Sequence, residues 1–455
     1  MRLIARYAKD KGSSFEVITL YDTDIQREEI TKENPVISTI TNIYPSAIWF
    51  ERKMQDDFGI IVEDAFDKRP LVHQERFPQG IHPMCKDFTQ KSIEFSEDRG
   101  YEYEAIKGDG VFQVAVGPIH AGIIEPGHFQ FSQAAEEMLH LEVRHFYKYR
   151  AIEKMLEGKT LFEAKPIIEK ISGNESVAYQ IALRDIMLQA TKQELPISFK
   201  KYHAFLLELE RIIHHLTDLG FIPNDAGFGA ALAFCSKLSE DARRIMKEVT
   251  GHRFGFGAVD FESFSYDKEK LNRWLNELNK DMNEYESWVM DIPSLLDRLE
   301  TTGFLGTQDA VKFNTVGVAA RASGVAVDRR DNPFYLENKF ALVTQDSGDV
   351  MARFKVRIDE VKNSILMMHS FLDNSNEAFE IGDIEDGEYM SYSESSIGEL
   401  FMAIDIKDGV IERFFVRDPS FINWQTLHLM MRGDIIADFP LINKSCDLSY
   451  AGNDL

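Results

Sequence analysis

The sequence has few cysteines and fewer basic than acidic residues. Its 455 residues include three cysteines, Cys85, Cys235 and Cys446, which lie far apart and form no CxxC pair. Neither a disulfide framework nor a four-thiolate metal site can be read from that spacing, so we expect a reducing compartment. Lys and Arg number 51 against 75 Asp and Glu, and the net charge of -24 opposes nucleic acid and anionic lipid headgroups as partners.

No apolar stretch of the sequence is long enough to cross a membrane. A spanning helix needs about 18 or more predominantly apolar residues in a row, and none occurs. The first residues, MRLIARYAKDKGSSF, carry charges where a signal peptide needs an apolar segment. We therefore expect a cytoplasmic protein at the periphery of the inner membrane, which it contacts only through partner subunits.

The remaining composition is typical of a folded protein with more than one domain. Hydrophobic residues make up 44% and aromatic residues 11% of the chain, which excludes a disordered protein. Strand-forming residues cluster before Phe88, and helical spacing dominates later in the chain. We predict an α+β protein: a small α+β domain over residues 1–95, then a mainly α-helical domain over residues 96–455, built as a long-helix bundle with small β elements.

Apolar periodicity and turn residues predict where the longer helices begin and end. Helices are expected over residues 132–157, 205–219, 227–250 and 267–301. The Ser132 hydroxyl can cap the first helix, and Gly220, Gly251 and Gly303 are the expected stops of the other three. The acidic segment 377–396 is predicted to be a solvated loop, with a docking surface as the alternative.

Separate segments of the sequence carry a family resemblance. Residues 117–131 read GPIHAGIIEPGHFQF, and residues 417–444 read RDPSFINWQTLHLMMRGDIIADFPLINK. Together they resemble the opening and closing motifs of group 4 nickel–iron hydrogenase large subunits of the formate hydrogenlyase type, and more distantly the quinone-site subunit of complex I. Residues 39–88, which include Trp49 and Asp57, resemble a smaller subunit of complex I that is often fused to the large one. The resemblance implies that a small and a large subunit are fused in this chain.

The resemblance also implies a metal site, but the sequence lacks its ligands. Members of the hydrogenase family hold nickel and iron with two CxxC pairs, because soft thiolates suit those metals. At the matching positions stand Ser172 and Glu175 in one segment, and Ser449 and Gly452 in the other. A serine hydroxyl does not ionise near neutral pH, and glycine offers no side chain. We therefore expect no nickel–iron centre and no other cofactor on this chain, with iron–sulfur clusters on a partner subunit.

The complex I resemblance implies a quinone cavity, for which His120 and Tyr179 are the candidate residues. That relative holds the two carbonyls of the quinone with a tyrosine and a histidine. The tyrosine position in this sequence is Gly173, and Tyr179 lies two helical turns further along. His120 or His128 can supply the histidine. The family resemblance also implies NAD binding, which we expect of the whole complex.

Four polar residues have both a functional and a structural interpretation. Glu125 and His128 occupy the segment where hydrogenases place a proton-transfer glutamate, so they either form a proton relay or fix a turn by hydrogen bonding. Arg321 matches an arginine above the metal site or beside the quinone cavity, and its alternative role is a structural ion pair. Glu175 either binds a hard cation such as magnesium or hydrogen-bonds to the nearby serines.

Three functions are compatible with these residues. The first is a large subunit of a membrane-bound complex that couples electron transfer to proton or ion movement. Its expected partners are an iron–sulfur subunit of the complex I type and membrane-arm subunits. The second is a reductase of quinone or another small acceptor that uses the emptied cavity, with Arg321, His128 and Tyr179 facing inward. The third is a soluble assembly or interaction protein.

Overall fold

Strands occupy the N-terminal part of the chain and residues 387–417, and helices occupy the middle and the C-terminal end. The computed structural model describes residues 1–90, 92–121, 124–372 and 378–455. The strands are β1 (Leu3–Asp10), β2 (Ser14–Tyr21), β3 (Ile25–Thr31), β4 (Val36–Ser38), β5 (Ile61–Glu63), β6 (Val111–Val116), β7 (His128–Ala134), β8 (Glu137–Arg144), β9 (Gly387–Glu394), β10 (Glu399–Lys407) and β11 (Val410–Arg417). The predicted α+β class, with a small N-terminal sheet followed by a helix-rich part, is confirmed.

The helices fall into a short first one, a long central set and several short ones near the C-terminus. They are α1 (Ala47–Phe58), α2 (Ile152–Leu156), α3 (Leu161–Ile168), α4 (Ser176–Thr191), α5 (Ile197–Asp225), α6 (Gly229–Thr250), α7 (Lys268–Val289), α8 (Pro293–Leu299), α9 (Thr307–Lys312), α10 (Gly317–Ala322), α11 (Pro333–Glu337), α12 (Val350–Phe371), α13 (Pro419–Asn423), α14 (Leu427–Met430), α15 (Phe439–Cys446) and α16 (Tyr450–Asp454). The long helices α5, α6, α7 and α12 pack together and form the predicted bundle.

The N-terminal sheet has two buried strands, β1 and β2, and a largely exposed third strand, β3. Its strands β1, β2 and β3 pair antiparallel in that order, and every residue of β1 and β2 is buried. Helix α1 covers one side, while Tyr7 stacks on Phe415 of β11 with ring centroids 4.2 Å apart. The charged residues of these strands are buried in ion pairs: Arg6 contacts Glu51, and Lys9 lies 3.2 Å from Glu16.

The N-terminal sheet is joined to the large domain by ion pairs as well as by apolar contacts. Arg2 contacts Glu399 at 2.6 Å, and Lys53 of α1 contacts Glu153 of α2 at 3.1 Å. These pairs are largely removed from water, so breaking one partner leaves a buried charge uncompensated. The two parts of the chain are therefore fixed against each other near β10 and α2.

Some predicted helix boundaries agree with the structure and others do not. Helix α6 ends at Thr250, and Gly251 follows with a left-handed φ of 81°, as predicted. Gly220 does not stop α5, which continues to Asp225. A Cβ atom on Gly220 would lie 3.1 Å from the Cβ of Cys235, so this glycine allows α6 to pack closely against α5. The predicted helix over 267–301 is interrupted before Pro293, which begins α8.

The helix predicted from Ser132 to residue 157 was wrong. Residues 128–144 form the antiparallel strands β7 and β8, and only the short helix α2 follows. Phe129 and Phe131 alternate with more polar neighbours, a period-2 pattern that buries one face of the sheet. The predicted solvated loop over 377–396 was also wrong in its second half. Residue 377 lies outside the described residues, but residues 387–394 form β9, which pairs with β10.

Among the helices in the described parts of the chain, none combines the length and the apolar character needed to cross a membrane.

Candidate functional site

The four positions that correspond to metal-ligand cysteines converge in the fold. Ser172 follows α3, Glu175 immediately precedes α4, and Ser449 and Gly452 belong to the start of α16. The Ser172 and Ser449 hydroxyl oxygens lie 3.0 Å apart and share a hydrogen bond, although 277 residues separate them in the chain. Ser449 also caps α16, because its hydroxyl accepts the backbone N–H of Gly452 at 2.9 Å. The two segments therefore meet as the resemblance implies.

Asp418 occupies the space beside Gly452. Its carboxylate accepts a hydrogen bond from the Tyr179 hydroxyl at 2.7 Å and another from the backbone N–H of Ser420 at 2.8 Å. A Cβ atom on Gly452 would lie only 2.0 Å from an oxygen of Asp418. Residue 452 must therefore be glycine if Asp418 is to keep this position.

Glu175 is a buried acid that faces Asp418. Its Oε1 accepts a hydrogen bond from the Ser395 hydroxyl at 2.6 Å, and its Oε2 has no protein donor among the described residues. Burial first, and then the neighbouring Asp418 carboxylate, raise the pKa of Glu175 well above its usual value. Burial and the nearby negative charge both oppose ionisation of the Glu175 carboxyl group.

The donor atoms at this position do not fit nickel or iron. Two serine hydroxyls, one carboxyl group and a residue without a side chain replace four thiolates, and soft metals need sulfur ligands. Cys446 is buried and lies three residues before Ser449 in the chain. Its Sγ contacts the Sδ of Met430 at 3.5 Å. Within the described ranges, the one group of three possible metal ligands is Asp10, Cys85 and Asp87, which belong to the N-terminal part.

The structure places Glu125 and His128 in separate structural contacts. Glu125 accepts the backbone N–H of Ala451 at 3.0 Å and forms an ion pair with Lys148. The two ring nitrogens of His128 lie 3.3 Å from the carbonyl of Gly117 and 3.3 Å from the side chain of Gln130. These contacts fit the turn-fixing interpretation. A proton relay through the two residues stays a prediction.

His120 and Tyr179, the candidates for a quinone cavity, also have partners of their own. The His120 Nε2 lies 2.7 Å from the carbonyl oxygen of Gly127, and the Tyr179 hydroxyl donates to Asp418. Between the segment that contains His120 and helix α16 lie the buried aromatic rings of Phe129, His145, Trp424 and Tyr450. Burial lowers the pKa of His145 to about 3, so this ring is neutral. Quinone binding by His120 and Tyr179 stays a prediction.

Arg321 lies in an ion network and does not face an open cavity. Its guanidinium is fully buried and contacts Glu360 at 2.7 Å, Glu394 at 2.8 Å and Asp328 at 3.2 Å. These contacts agree with the interpretation of Arg321 as part of a structural ion pair. Asp328 forms a further ion pair with Arg330 at 2.7 Å. Two acids of this network come from distant elements of the chain, Glu360 from α12 and Glu394 from β9.

Three residues of the site were missed at the level of sequence: Asp418, Ser395 and Trp424. Asp418 stands in the RDPSF motif, immediately before a helix start. Because an aspartate at such a position commonly caps a helix, the sequence could have predicted its capping role. Ser395 lies in the segment predicted to be a solvated loop. Its contact with Glu175 spans 220 residues and could not be read from local spacing.

Comparison with known proteins identifies the family. Residues 225–383 and 367–454 match the family described as "Respiratory-chain NADH dehydrogenase, 49 Kd subunit". The chain belongs to this family. Residues 3–94 match the family described as "Respiratory-chain NADH dehydrogenase, 30 Kd subunit". The predicted fusion of two subunit types is therefore confirmed, and we refer to the chain below as a complex I-type large subunit.

Relatives of this complex I-type large subunit belong to hydrogenases and NADH–quinone oxidoreductases. Formate hydrogenlyase subunit 5 of Escherichia coli is 27% identical over 448 residues, which are 94% of this chain and 78% of that protein. Hydrogenase-4 component G of the same organism is 25% identical, over 91% of this chain and 75% of that protein. An NADH-quinone oxidoreductase subunit of Bacteroides thetaiotaomicron is 24% identical, over 91% of this chain and 84% of that protein.

A solved structure shares the fold of this large subunit. It is a chain of the membrane-bound sulfane sulfur reductase, an archaeal respiratory membrane complex, with a TM-score of 0.70 and 18% sequence identity. The similarity covers 76% of this chain and 99% of that chain. The relatives are subunits of multisubunit, membrane-associated respiratory or hydrogenase complexes, so this family works with partner subunits.

Proposed function

We propose that this complex I-type large subunit works in a membrane-bound oxidoreductase complex without a nickel–iron centre of its own. In the place of that centre it holds the Glu175–Asp418 pair, which takes part in coupling electron transfer to proton movement. The observation that carries the proposal is this carboxyl pair, buried between two segments that hold cysteine ligands in related hydrogenases. Here the fold of the metal-binding region is kept, but acids take the place of the thiolates. Two adjacent acids are suited to binding and passing on a proton.

The chemistry of the pair is proton exchange. Glu175 holds a proton on its carboxyl group, and the Asp418 carboxylate is the acceptor beside it. The hydroxyl groups of Ser395 and Tyr179 donate to the two acids at 2.6 Å and 2.7 Å. Each hydroxyl favours the charged form of the acid to which it donates, because a donor stabilises an anion more than a neutral carboxyl group. A small displacement of α4 or α16 can therefore shift the proton between the acids.

The proposed partners are an iron–sulfur subunit of the complex I type and membrane-arm subunits. The clusters of the iron–sulfur subunit carry the electrons. The membrane-arm subunits hold this chain at the cytoplasmic face of the membrane. Large apolar side chains that face solvent support covered surfaces in a complex: Ile43, Phe66, Phe95 and Ile119 are 71%, 78%, 65% and 89% exposed. An assembly protein that acts alone would not keep so many apolar groups in water.

The test is to purify the complex from native membranes through an affinity tag on this chain. Mass spectrometry is expected to find an iron–sulfur protein and membrane-spanning proteins in fixed stoichiometry with it. In vesicles that contain the complex, Glu175→Gln is expected to uncouple proton movement from electron transfer, because the amide cannot release a proton. Glu277→Gln, a change on the exposed face of α7, serves as the matched control.

Two results would contradict the proposal. The tagged chain would be recovered alone from membranes that contain the other subunits, or proton movement per electron would be the same in the Glu175→Gln variant and in the Glu277→Gln control. The first result would favour an independent interaction protein, and the second would remove the carboxyl pair from the coupling path.

A further inference from the structure

A second group of buried charges lies next to the carboxyl pair. It joins helices α5, α10 and α12, the loop after α10, and strand β9. Its members are Glu208, Arg211, Arg321, Asp328, Arg330, Glu360 and Glu394, all of them buried. The ion-pair distances within this group, which we call the β9 network, range from 2.7 to 3.7 Å. A network this dry must be close to electrical balance.

The acids of the β9 network differ in how many guanidinium groups they contact. Glu208, Asp328 and Glu360 each contact two or more guanidinium groups. His215 adds no charge near neutral pH, because burial lowers its pKa to about 4 even though it lies 2.9 Å from Glu360. Next to the network, the guanidiniums of Arg2, Arg329 and Arg417 share the single carboxylate of Glu399. A proton that the network binds is therefore expected on the acid with the fewest guanidinium contacts.

Glu394 is the acid that best accommodates this proton. Arg321 is its guanidinium contact, at 2.8 Å, and the other side of its carboxylate accepts a single backbone N–H, from Arg329 at 3.1 Å. Burial, and then the negative charge of Asp328, raise the pKa of Glu394 to about 7. The same environment lowers the pKa of Glu360 well below its usual value, because Arg321 and Arg330 both act on it.

A solvent-connected cavity reaches Glu394. It has a volume of about 480 Å³ and lies between α4, α5, the loop around Asn332 and β9. Its lining includes Arg184, Lys200 and Glu194, as well as Glu394 itself. Liquid water takes about 30 Å³ per molecule, so the cavity has room for on the order of ten waters. The charged lining keeps such a cavity hydrated, and water can therefore come close to the edge of the β9 network.

We propose that Glu394 is a proton-binding site that takes its proton from solvent through this cavity. In the step, a hydronium ion or buffer acid at the cavity wall gives one proton to a carboxylate oxygen of Glu394, and no electron moves. Ser395, the next residue, donates its hydroxyl to Glu175 at 2.6 Å. Delivery of this proton to the Glu175–Asp418 pair, though not its binding by Glu394, rests on the proposed function.

Infrared difference spectroscopy on the full-length chain tests the proposal. Protonated carboxyl groups have a carbonyl stretch that disappears when they ionise. A component that titrates near pH 7 is expected in the wild type, absent in Glu394→Gln and unchanged in Glu194→Gln, which alters an exposed acid of the same cavity. Hydrogen–deuterium exchange of that component is expected to slow at least tenfold in Ala204→Phe, which places a ring in the cavity, and to stay fast in Ala204→Ser.

Identical titrations of the wild type and Glu394→Gln would overturn the proton site. Unchanged exchange in Ala204→Phe would overturn the route through the cavity. If Glu394→Gln does not fold, Glu394→Asp replaces it: shortening the side chain draws the carboxylate away from Arg321, so the midpoint must move, and an unmoved midpoint overturns the assignment. These measurements need no partner subunit. The infrared measurements can fail while the coupling measurements in vesicles succeed, and the coupling measurements can fail while the infrared measurements succeed. The two proposals are therefore tested separately.

Discussion

Replacing Gly452 by alanine probes the contact that defines the remodelled site. The new Cβ atom would lie 2.0 Å from one Asp418 carboxylate oxygen and 2.5 Å from its carboxyl carbon. Asp418 must then move and give up its hydrogen bonds from Tyr179 and from the backbone N–H of Ser420. Two such bonds contribute about 2 kcal/mol together, and overpacking adds about 2 kcal/mol.

Alanine also favours a helix over glycine by up to about 1 kcal/mol, which offsets part of the loss in α16. We therefore expect Gly452→Ala to lower the free energy of unfolding by about 3 kcal/mol, measured by urea denaturation of the full chain. Gly173→Ala is the matched control. It lies in the turn between Ser172 and Glu175, with nothing within 4 Å of the added carbon, so it is expected to change the free energy by less than about 0.5 kcal/mol.

A double-mutant cycle separates the steric contact from other effects. In an Asp418→Ala background the clash is gone, and the cost of Gly452→Ala is expected to fall below about 1 kcal/mol. The reasoning is refuted if Gly452→Ala costs as little as Gly173→Ala, or if its cost is undiminished once the Asp418 carboxylate has been removed.

Three further predictions concern the same site and the β9 network. Ser449→Ala is expected to cost about 2 kcal/mol and Ser172→Ala about 1 kcal/mol in urea denaturation, because Ser449 alone also caps α16; equal losses would contradict this. The pKa of Glu175 is raised in the folded state, so its contribution to stability is largest at low pH and is lost as pH rises through the folded pKa. Glu175→Gln should therefore gain stability relative to the wild type as pH increases, and a constant difference across the pH range would argue against the raised pKa. Arg321→Ala leaves three acids with a missing partner and is expected to cost about 3–5 kcal/mol, with a smaller loss for Arg321→Lys; a loss below about 1 kcal/mol would show that the network does not depend on it.

Some parts of the fold follow from local sequence, and others need tertiary contacts. The end of α6 at Gly251 was predictable, because glycine readily adopts the left-handed conformation that closes a helix. Gly220 has the same local appearance but serves close packing between α5 and α6, which is decided by the distant Cys235. The strand β7 was mistaken for a helix because Ser132 resembles a cap, while the alternation of Phe129 and Phe131 carried the true signal.

The candidate site shows the same division. The resemblance brought Ser172, Glu175, Ser449 and Gly452 to one place, and the fold agrees. The chemistry of that place depends on Asp418, which contacts Tyr179 across 239 residues, and on Ser395, which contacts Glu175 across 220 residues. No local pattern shows that an acid at 175 faces another acid at 418. The roles of Glu125, His128 and His120 were proposed from motif positions and stay predictions; in the structure each of these side chains contacts a backbone group.

We propose a carboxyl pair where the resemblance to nickel–iron hydrogenases implies a metal site, and elemental analysis tests this most directly. The complex would be purified from its native membranes through this chain, and its nickel and iron content measured beside hydrogen-uptake activity. We predict iron from the clusters of a partner subunit, nickel well below one atom per complex, and no hydrogen uptake. One nickel atom per complex, lost on Glu175→Gln substitution, would contradict the claim.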